Sequence, residues 1–212
     1  MTHLEPLADV YAPRPVLSSE KSFGGRVWDV TTDVVDLGDA GTVTRDYVAH
    51  TGAVAVMAMN GAGQVYLVRQ YRHPVQRELW EPPAGLLDEP GESPLDAAKR
   101  ELWEEADLVA DTWNVLIDFA TSPGGNSEGI RIYLARDVSD APDDGRHVRE
   151  AEEQDMPGEW VELDAILAAA HEGRIWGPTT IVGAFALDAA RRSGWALVRP
   201  AEAPWHYTPG RG

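Results

Sequence analysis

Gly85-Leu-Leu-Asp-Glu-Pro-Gly-Glu92-Ser-Pro-Leu-Asp-Ala-Ala-Lys-Arg100-Glu101-Leu-Trp-Glu104-Glu105-Ala-Asp-Leu108 is the stretch from which the fold can be read. Ser93 is a good N-cap, Pro94 suits the first helical position, and Asp96 three residues after the cap completes a capping-box-like pattern. Leu95, Ala98, Leu102 and Ala106 then recur with helical period, so one stripe can dock on a core. Glu101, Glu104 and Glu105 stand at i, i+3 and i+4 and share an adjacent strip about 100° wide. Three carboxylates this close repel one another unless a cation neutralises them. Hard oxygen ligands at this density suit Mg²⁺ or Mn²⁺ rather than zinc. The plainer reading is a solvated acidic helix face. Such a face has no need of Gly85, an acidic turn, Arg100 and the triple spacing together.

These residues resemble the Nudix box, G-x5-E-x7-R-E-U-x-E-E-x-G-U with U apolar. The match runs from Glu92 through Arg100, Glu101, Leu102, Glu104 and Glu105 to Leu108, with two departures. Six residues rather than five separate Gly85 from Glu92, an insertion that a loop tolerates. Asp107 replaces the usual glycine after the helix, where a left-handed residue is expected and Asp can serve. Neither change removes a carboxylate. The flanks Val68-Arg-Gln-Tyr-Arg-His73-Pro, Trp80-Glu-Pro-Pro-Ala-Gly85, Thr121-Ser-Pro-Gly-Gly125 and Ala151-Glu-Glu-Gln-Asp-Met156 are similar to the ADP-ribose pyrophosphatase branch. The resemblance implies a Nudix α/β/α sandwich with a mixed sheet, preceded by a β-rich N-terminal dimerisation segment. It also implies a homodimer in which N-terminal strands embrace the partner.

The rest of the chain is read directly. At 212 residues it suits one domain of ordinary size, with or without a small N-terminal appendage. With the resemblance it divides into 1–48, a β-rich segment expected in the dimer interface; 49–195, which the resemblance implies is the Nudix hydrolase domain; and 196–212, a loose tail. Cysteine is absent, so no disulfide framework or Cys-based metal site is available. No apolar run reaches membrane-spanning length and the N-terminus lacks the order of a secretory signal, so a cytoplasmic protein is expected. The 35 acidic against 18 basic residues argue against nucleic-acid or anionic-membrane partners. They also mean that an anionic substrate needs a metal and local arginines to reverse the field.

Val27 to Leu37 and Val43 to Val48 read as strands around the turn Gly38-Asp-Ala-Gly41. Ala53 to Met59, Asn60-Gly-Ala-Gly63 and Gln64 to Val68 read as a hairpin, its first strand buried on both faces. Strands follow at Trp113 to Phe119 and Ile130 to Ala135, a polar loop at Asp137 to Arg149, and helices at Leu163 to His171 and Thr179 to Arg192. The helices stop at Gly173 and Gly194. No internal repeat is evident.

The chemistry implied by the resemblance is metal-assisted attack of water on a phosphorus of a diphosphate. Glu101, Glu104 and Glu105 are the candidate metal ligands, with the backbone carbonyl of Ala84. Glu92 is either a further ligand or a salt-bridge partner of Arg100, which we place on another side of the helix. The base is expected from the late acidic loop, at Glu152 or Glu153, against the alternative of a solvated charge cluster. Candidate substrate groups are Arg72 and Arg45 for phosphate or ribose oxygens, with Arg69 behind them. Trp28 would stack on adenine. Gly124 and Glu128 offer backbone donors and a carboxylate to the terminal ribose. Each has a structural alternative: surface arginine, core or interface tryptophan, ordinary turn. His73 and His171 show no metal-ligand pairing.

The expected activity is Mg²⁺-dependent hydrolysis of a small-molecule nucleoside diphosphate sugar, ADP-ribose first, to AMP and ribose 5-phosphate. Alternatives are another ADP-sugar, NADH or a dinucleoside polyphosphate as substrate, or a catalytically silent nucleotide-sensing Nudix module.

Overall fold

The computed structural model describes residues 7–142 and 156–205. The chain forms two compact units: the residues up to His50 together with Gly124–Asn126, and the remainder. In the first unit β1 (Val16–Gly24), β2 (Asp29–Asp36) and β3 (Thr42–Ala49) form an antiparallel sheet in that order. The last two are the strands expected from sequence. β1 was not expected: it is exposed along its whole length and only its first two residues, Val16 and Leu17, form an apolar run. What makes it a strand is pairing with β2, from Val16↔Val35 to Gly24↔Asp29.

The second unit holds β4 (Ala53–Ala58), β5 (Gln64–Arg72), β6 (Arg77–Glu81), β7 (Ala84–Leu86), α1 (Pro94–Ala106), β8 (Leu108–Ala120), β9 (Gly129–Asp140), β10 (Gly158–Glu162), α2 (Leu163–His171), α3 (Pro178–Arg192) and β11 (Arg199–Pro200). One sheet has the order β11-β8-β9-β4-β7 and is mixed, because β4 runs parallel to β9 and antiparallel to β7. The other has the order β10-β5-β6. Every residue of β4 is buried. Alternate residues point to opposite faces of a strand. Ala53, Ala55 and Met57 therefore pack with Leu163, Ile166, Ala184 and Leu187 of α2 and α3. Val54, Val56 and Ala58 pack with Ala97, Ala98, Leu102 and Ala106 of α1. This double burial makes the sandwich, and it is what the unbroken apolar run predicted.

The hairpin reading fails in part. The turn forms: Asn60 Oδ1 accepts from the backbone N–H of Ala62 and of Gln64, both at 3.0 Å, and Gly63 takes φ +84°. Yet β4 and β5 enter different sheets, and the bridge Met59↔Val65 forms only beyond the end of β4. Both edges of β4 are already taken by β9 and β7, so β5 pairs with β6 and β10 instead.

β9 runs on through Asp140, paired with Leu108, into the segment expected as a loop from Asp137; the rest of that loop, from 143, lies outside the described residues. The expected loose tail is held as far as Trp205. Arg131, nearly buried, ion-pairs with Asp118 at 2.8 Å, donates to the carbonyls of Ala203 and Pro204, and stacks on Trp205. Burial by itself would lower the affinity of that guanidinium for its proton, but the bond to Asp118 and its charge carry the pKa above the ordinary value.

Helix α1 is capped as read. Ser93 Oγ accepts from Asp96 N–H at 3.1 Å and itself donates to Asp96 Oδ2 at 2.7 Å. The helix ends on Asp107 in the left-handed region, φ 53° and ψ 34°. A side chain is strained there, so Asp107→Gly is expected to raise the unfolding free energy by about 0.5–1 kcal/mol in urea denaturation. An unchanged or lower value would show that the Asp side chain compensates the strain.

Candidate active site

The capped start and left-handed stop of α1 fix the strip carrying Glu101, Glu104 and Glu105, and the β4–β7 pairing brings the Ala84–Gly85 turn against it. Val54 pairs with Gly85 and Ala55 with Ala84. The Ala84 N–H donates to Glu105 Oε2 at 3.0 Å, tying turn to helix. A Cβ on Gly85 would lie 1.9 Å from Glu101 Oε1, so only glycine leaves room for that carboxylate. Glu101 is one of few buried charged residues, 9% exposed.

Arg100 organises the strip. Its Nε and Nη2 donate to the two carboxylate oxygens of Glu92 at 3.0 and 2.9 Å, and its Nη1 donates to Glu104 at 2.9 Å and to Glu101. The hydrogen bonds to Glu92, with the charge of Glu101 and the hydrogen bonds to Glu104 and Glu101, outweigh partial burial and hold its proton more tightly than usual. Arg100 thus does not fall on another side of the helix. Its i,i+4 spacing to Glu104 was the available signal, and flexible arginine reach did the rest. Among the described residues no three His, Asp or Glu side chains converge as a ready cation site. Glu101 and Glu104 instead lean on the Arg100 guanidinium, and Glu105 on the Ala84 amide.

The other candidates are placed as follows. Arg72 is anchored to Glu81, with Nε at 3.0 Å and Nη2 at 2.6 Å from Oε2, a pairing that the sequence did not announce. Arg69 pairs with Glu78 at 3.3 Å and lies over the Trp80 ring. Glu128 accepts from Thr121 Oγ1 at 2.6 Å. In the first unit, Trp28 stacks on buried His50 with ring centroids 4.0 Å apart. Arg45 donates to the Thr44 carbonyl at 2.9 Å. Gly124 belongs to the same unit, next to Gly125, whose carbonyl accepts from Val48 N–H. His73 hydrogen-bonds Tyr71 and His171 packs against Phe185. Glu152 and Glu153 lie outside the described residues.

Comparison with known proteins gives a consistent picture. The NUDIX domain model matches residues 49–179. An ADP-ribose pyrophosphatase of Mycobacterium tuberculosis is 40% identical over 189 residues, 89% of each chain. A Methanol dehydrogenase activator of Bacillus methanolicus is 37% identical over 78% of this chain and 88% of its own. In the fold alone, the structure is similar to a crystal structure of an ADP compounds hydrolase, with TM-score 0.71 and 19% identity over 89% of this chain and all of that one. A domain match across most of the chain, spanning the Ala84–Gly85 turn, α1 and strands β4 to β10, makes this protein a member of the NUDIX family.

Proposed function

We propose that this protein hydrolyses the diphosphate bond of ADP-ribose to AMP and ribose 5-phosphate, with Mg²⁺, or Mn²⁺ in its place, as cofactor. The observation that carries the reading is four carboxylates, Glu92, Glu101, Glu104 and Glu105, gathered around one guanidinium and one backbone turn. The substrate is supported by the names of relatives in Mycobacterium tuberculosis and Bacillus subtilis, both ADP-ribose pyrophosphatases, at 40% and 38% identity.

The donor set fits a hard divalent cation: only oxygen ligands, more negative charge than Arg100 balances, and a Gly85 cradle that keeps Glu101 at the turn. Glu101, Glu104 and Glu105 would hold it, with the Ala84 carbonyl, and Glu92 serves chiefly to anchor Arg100. When bound, the ion supplies Lewis acidity toward phosphate oxygens and a more acidic water. The chain's own part is positional. Glu105 fixes the turn through the Ala84 N–H, and Arg100 keeps its neighbouring carboxylates at defined places. Glu152 or Glu153 accepts the water proton in this proposal, and Glu→Gln at each, compared for turnover with binding retained, decides between them. Arg72, Arg45, Trp28, Gly124 and Glu128 are assigned to substrate binding by the family resemblance. The same resemblance supports a cytoplasmic homodimer built through the N-terminal strands.

The deciding experiment incubates the protein and Mg²⁺ with equal concentrations of ADP-ribose, ADP-glucose, NADH and diadenosine polyphosphates and identifies the products. AMP and ribose 5-phosphate released fastest from ADP-ribose is the expected result. Preference for another compound would keep the chemistry and discard the substrate. NADH belongs in the panel because the Bacillus methanolicus relative is named for a dehydrogenase rather than for ADP-ribose. Binding without turnover of any compound would make this a silent sensor.

Gly85→Ala probes the cradle. The added methyl must displace Glu101, so turnover is expected to fall roughly tenfold to a hundredfold while circular dichroism stays unchanged. Unaltered kcat/KM would detach Glu101 from the reaction.

A further inference from the structure

The second unit also holds a cleft that hydrolysis leaves unused. Arg77, Glu78 and Trp80 on β6 face Arg174, Ile175 and Trp176, in the loop between α2 and α3, across a cavity of about 500 Å³. A second cavity of about 340 Å³ shares Trp80, Arg174 and Ile175 and continues to Leu67, Ile166 and Glu159. Neither is lined by a carboxylate of α1 or by the Ala84–Gly85 turn.

The cleft is electrostatically unusual in a chain of net charge −17. Glu78 is already matched by Arg69, and among the described residues Arg77 has no carboxylate partner. Arg77 instead lies 4.1 Å over the Trp176 ring. A guanidinium held over an aromatic ring in this way retains N–H donors suited to a planar or tetrahedral oxyanion. Arg174 pairs through Nε with Glu172, but both side chains are about 60% exposed, and such pairs are weak and easily shared.

The platform is held in place. Trp176 is 57% exposed, yet its indole N–H donates to the Gly173 carbonyl at 3.1 Å. Thr180 Oγ1 donates to the Trp80 carbonyl at 2.6 Å, and a Cβ on Gly177 would stand 3.3 Å from that same carbonyl. The loop is therefore seated on β6, and the two arginines stand on a preorganised wall.

We propose that this cleft binds an amino-bearing purine mononucleotide, with the phosphate on Arg77 and Arg174 and the base in the adjoining apolar cavity against Trp80. The volumes fall in the range of ordinary small-ligand sites. A flat base suits a cavity walled by Trp80, Ile175, Leu67 and Ile166. Glu159, an acceptor when ionised, meets the exocyclic amine. The site does not depend on the hydrolytic reading.

The test is equilibrium dialysis of labelled AMP, without divalent metal, against the full chain and its Arg77→Gln and Trp176→Ala variants. AMP is expected to bind the wild type, at least about tenfold more tightly than adenosine or inorganic phosphate do. Each variant should lose about tenfold or more in AMP affinity. Its ADP-ribose turnover with Mg²⁺ should stay within about twofold of wild type. Unchanged AMP affinity in Arg77→Gln, a mild surface substitution that preserves the fold, would overturn the proposal. So would phosphate binding as tightly as AMP, or a wild type that binds no AMP. A variant that lost turnover in parallel would place the cleft on the substrate path and also overturn a separate site. Failure of ADP-ribose hydrolysis in the wild type bears on the previous section alone, since dialysis reads binding.

Discussion

Glu104→Gln is expected to reduce turnover by on the order of 10³-fold or more, with the fold intact. Glu104 stands on α1 three residues after buried Glu101, and its carboxylate is 2.9 Å from Arg100 Nη1. The amide oxygen of Gln can still accept that hydrogen bond, so the helix and its arginine lose little. What disappears is the negative charge, which a hard cation needs and an amide cannot supply. Steady-state kinetics over a range of Mg²⁺ concentrations, with circular dichroism as the check on folding, reads the effect. Wild-type-like turnover at ordinary Mg²⁺ would remove Glu104 from the metal site. Recovery at high Mg²⁺ would instead mark a weakened site, the smaller effect expected of a supporting group.

Arg100→Gln is expected to act chiefly on stability, where Glu104→Gln acts chiefly on rate. One guanidinium serves Glu92, Glu101 and Glu104, whose side chains are only 18, 11 and 21% exposed. Removing the cation leaves these carboxylates crowded and partly desolvated. Breaking a buried ion pair in this way costs about 3–5 kcal/mol. With the site partly open to solvent, a loss of roughly 2–3 kcal/mol is the expectation. Urea denaturation with and without Mg²⁺ tests it twice over. The variant should be less stable without metal and should gain more from Mg²⁺ than the wild type, because the ion no longer competes with a guanidinium for the same oxygens. Equal Mg²⁺ stabilisation in both proteins would mean that the cation does not use Glu101 and Glu104.

Much of this could be read from the sequence because it is locally encoded. Ser93, Pro94 and Asp107 set the limits of α1 through capping and a left-handed stop. Gly173 and Gly194, both at positive φ, lie just beyond the ends of α2 and α3. The apolar run at Ala53–Ala58 announced a strand covered on both sides, and the spacing of Glu101, Glu104 and Glu105 announced the acidic strip. Each depends on residues within a turn or two of one another, so composition and period are sufficient.

The tertiary structure decided what depends on a distant partner. β1 is a strand because β2 offers it an edge, and β5 leaves the turn it shares with β4 because β9 and β7 already occupy both edges there. Arg199 and Pro200 are held by pairing with β8, and Ala203 and Pro204 because Arg131, far back in the chain, presents donors to their carbonyls. Within the site, Glu105 meets the Ala84 amide across 21 residues, and Arg100 gathers Glu92 from the preceding loop. No period carries such contacts. They appear once the sheet has closed and fixed which backbone donors and charged groups lie within 3 Å of one another, and that closure made an acidic helix into a candidate centre for diphosphate chemistry.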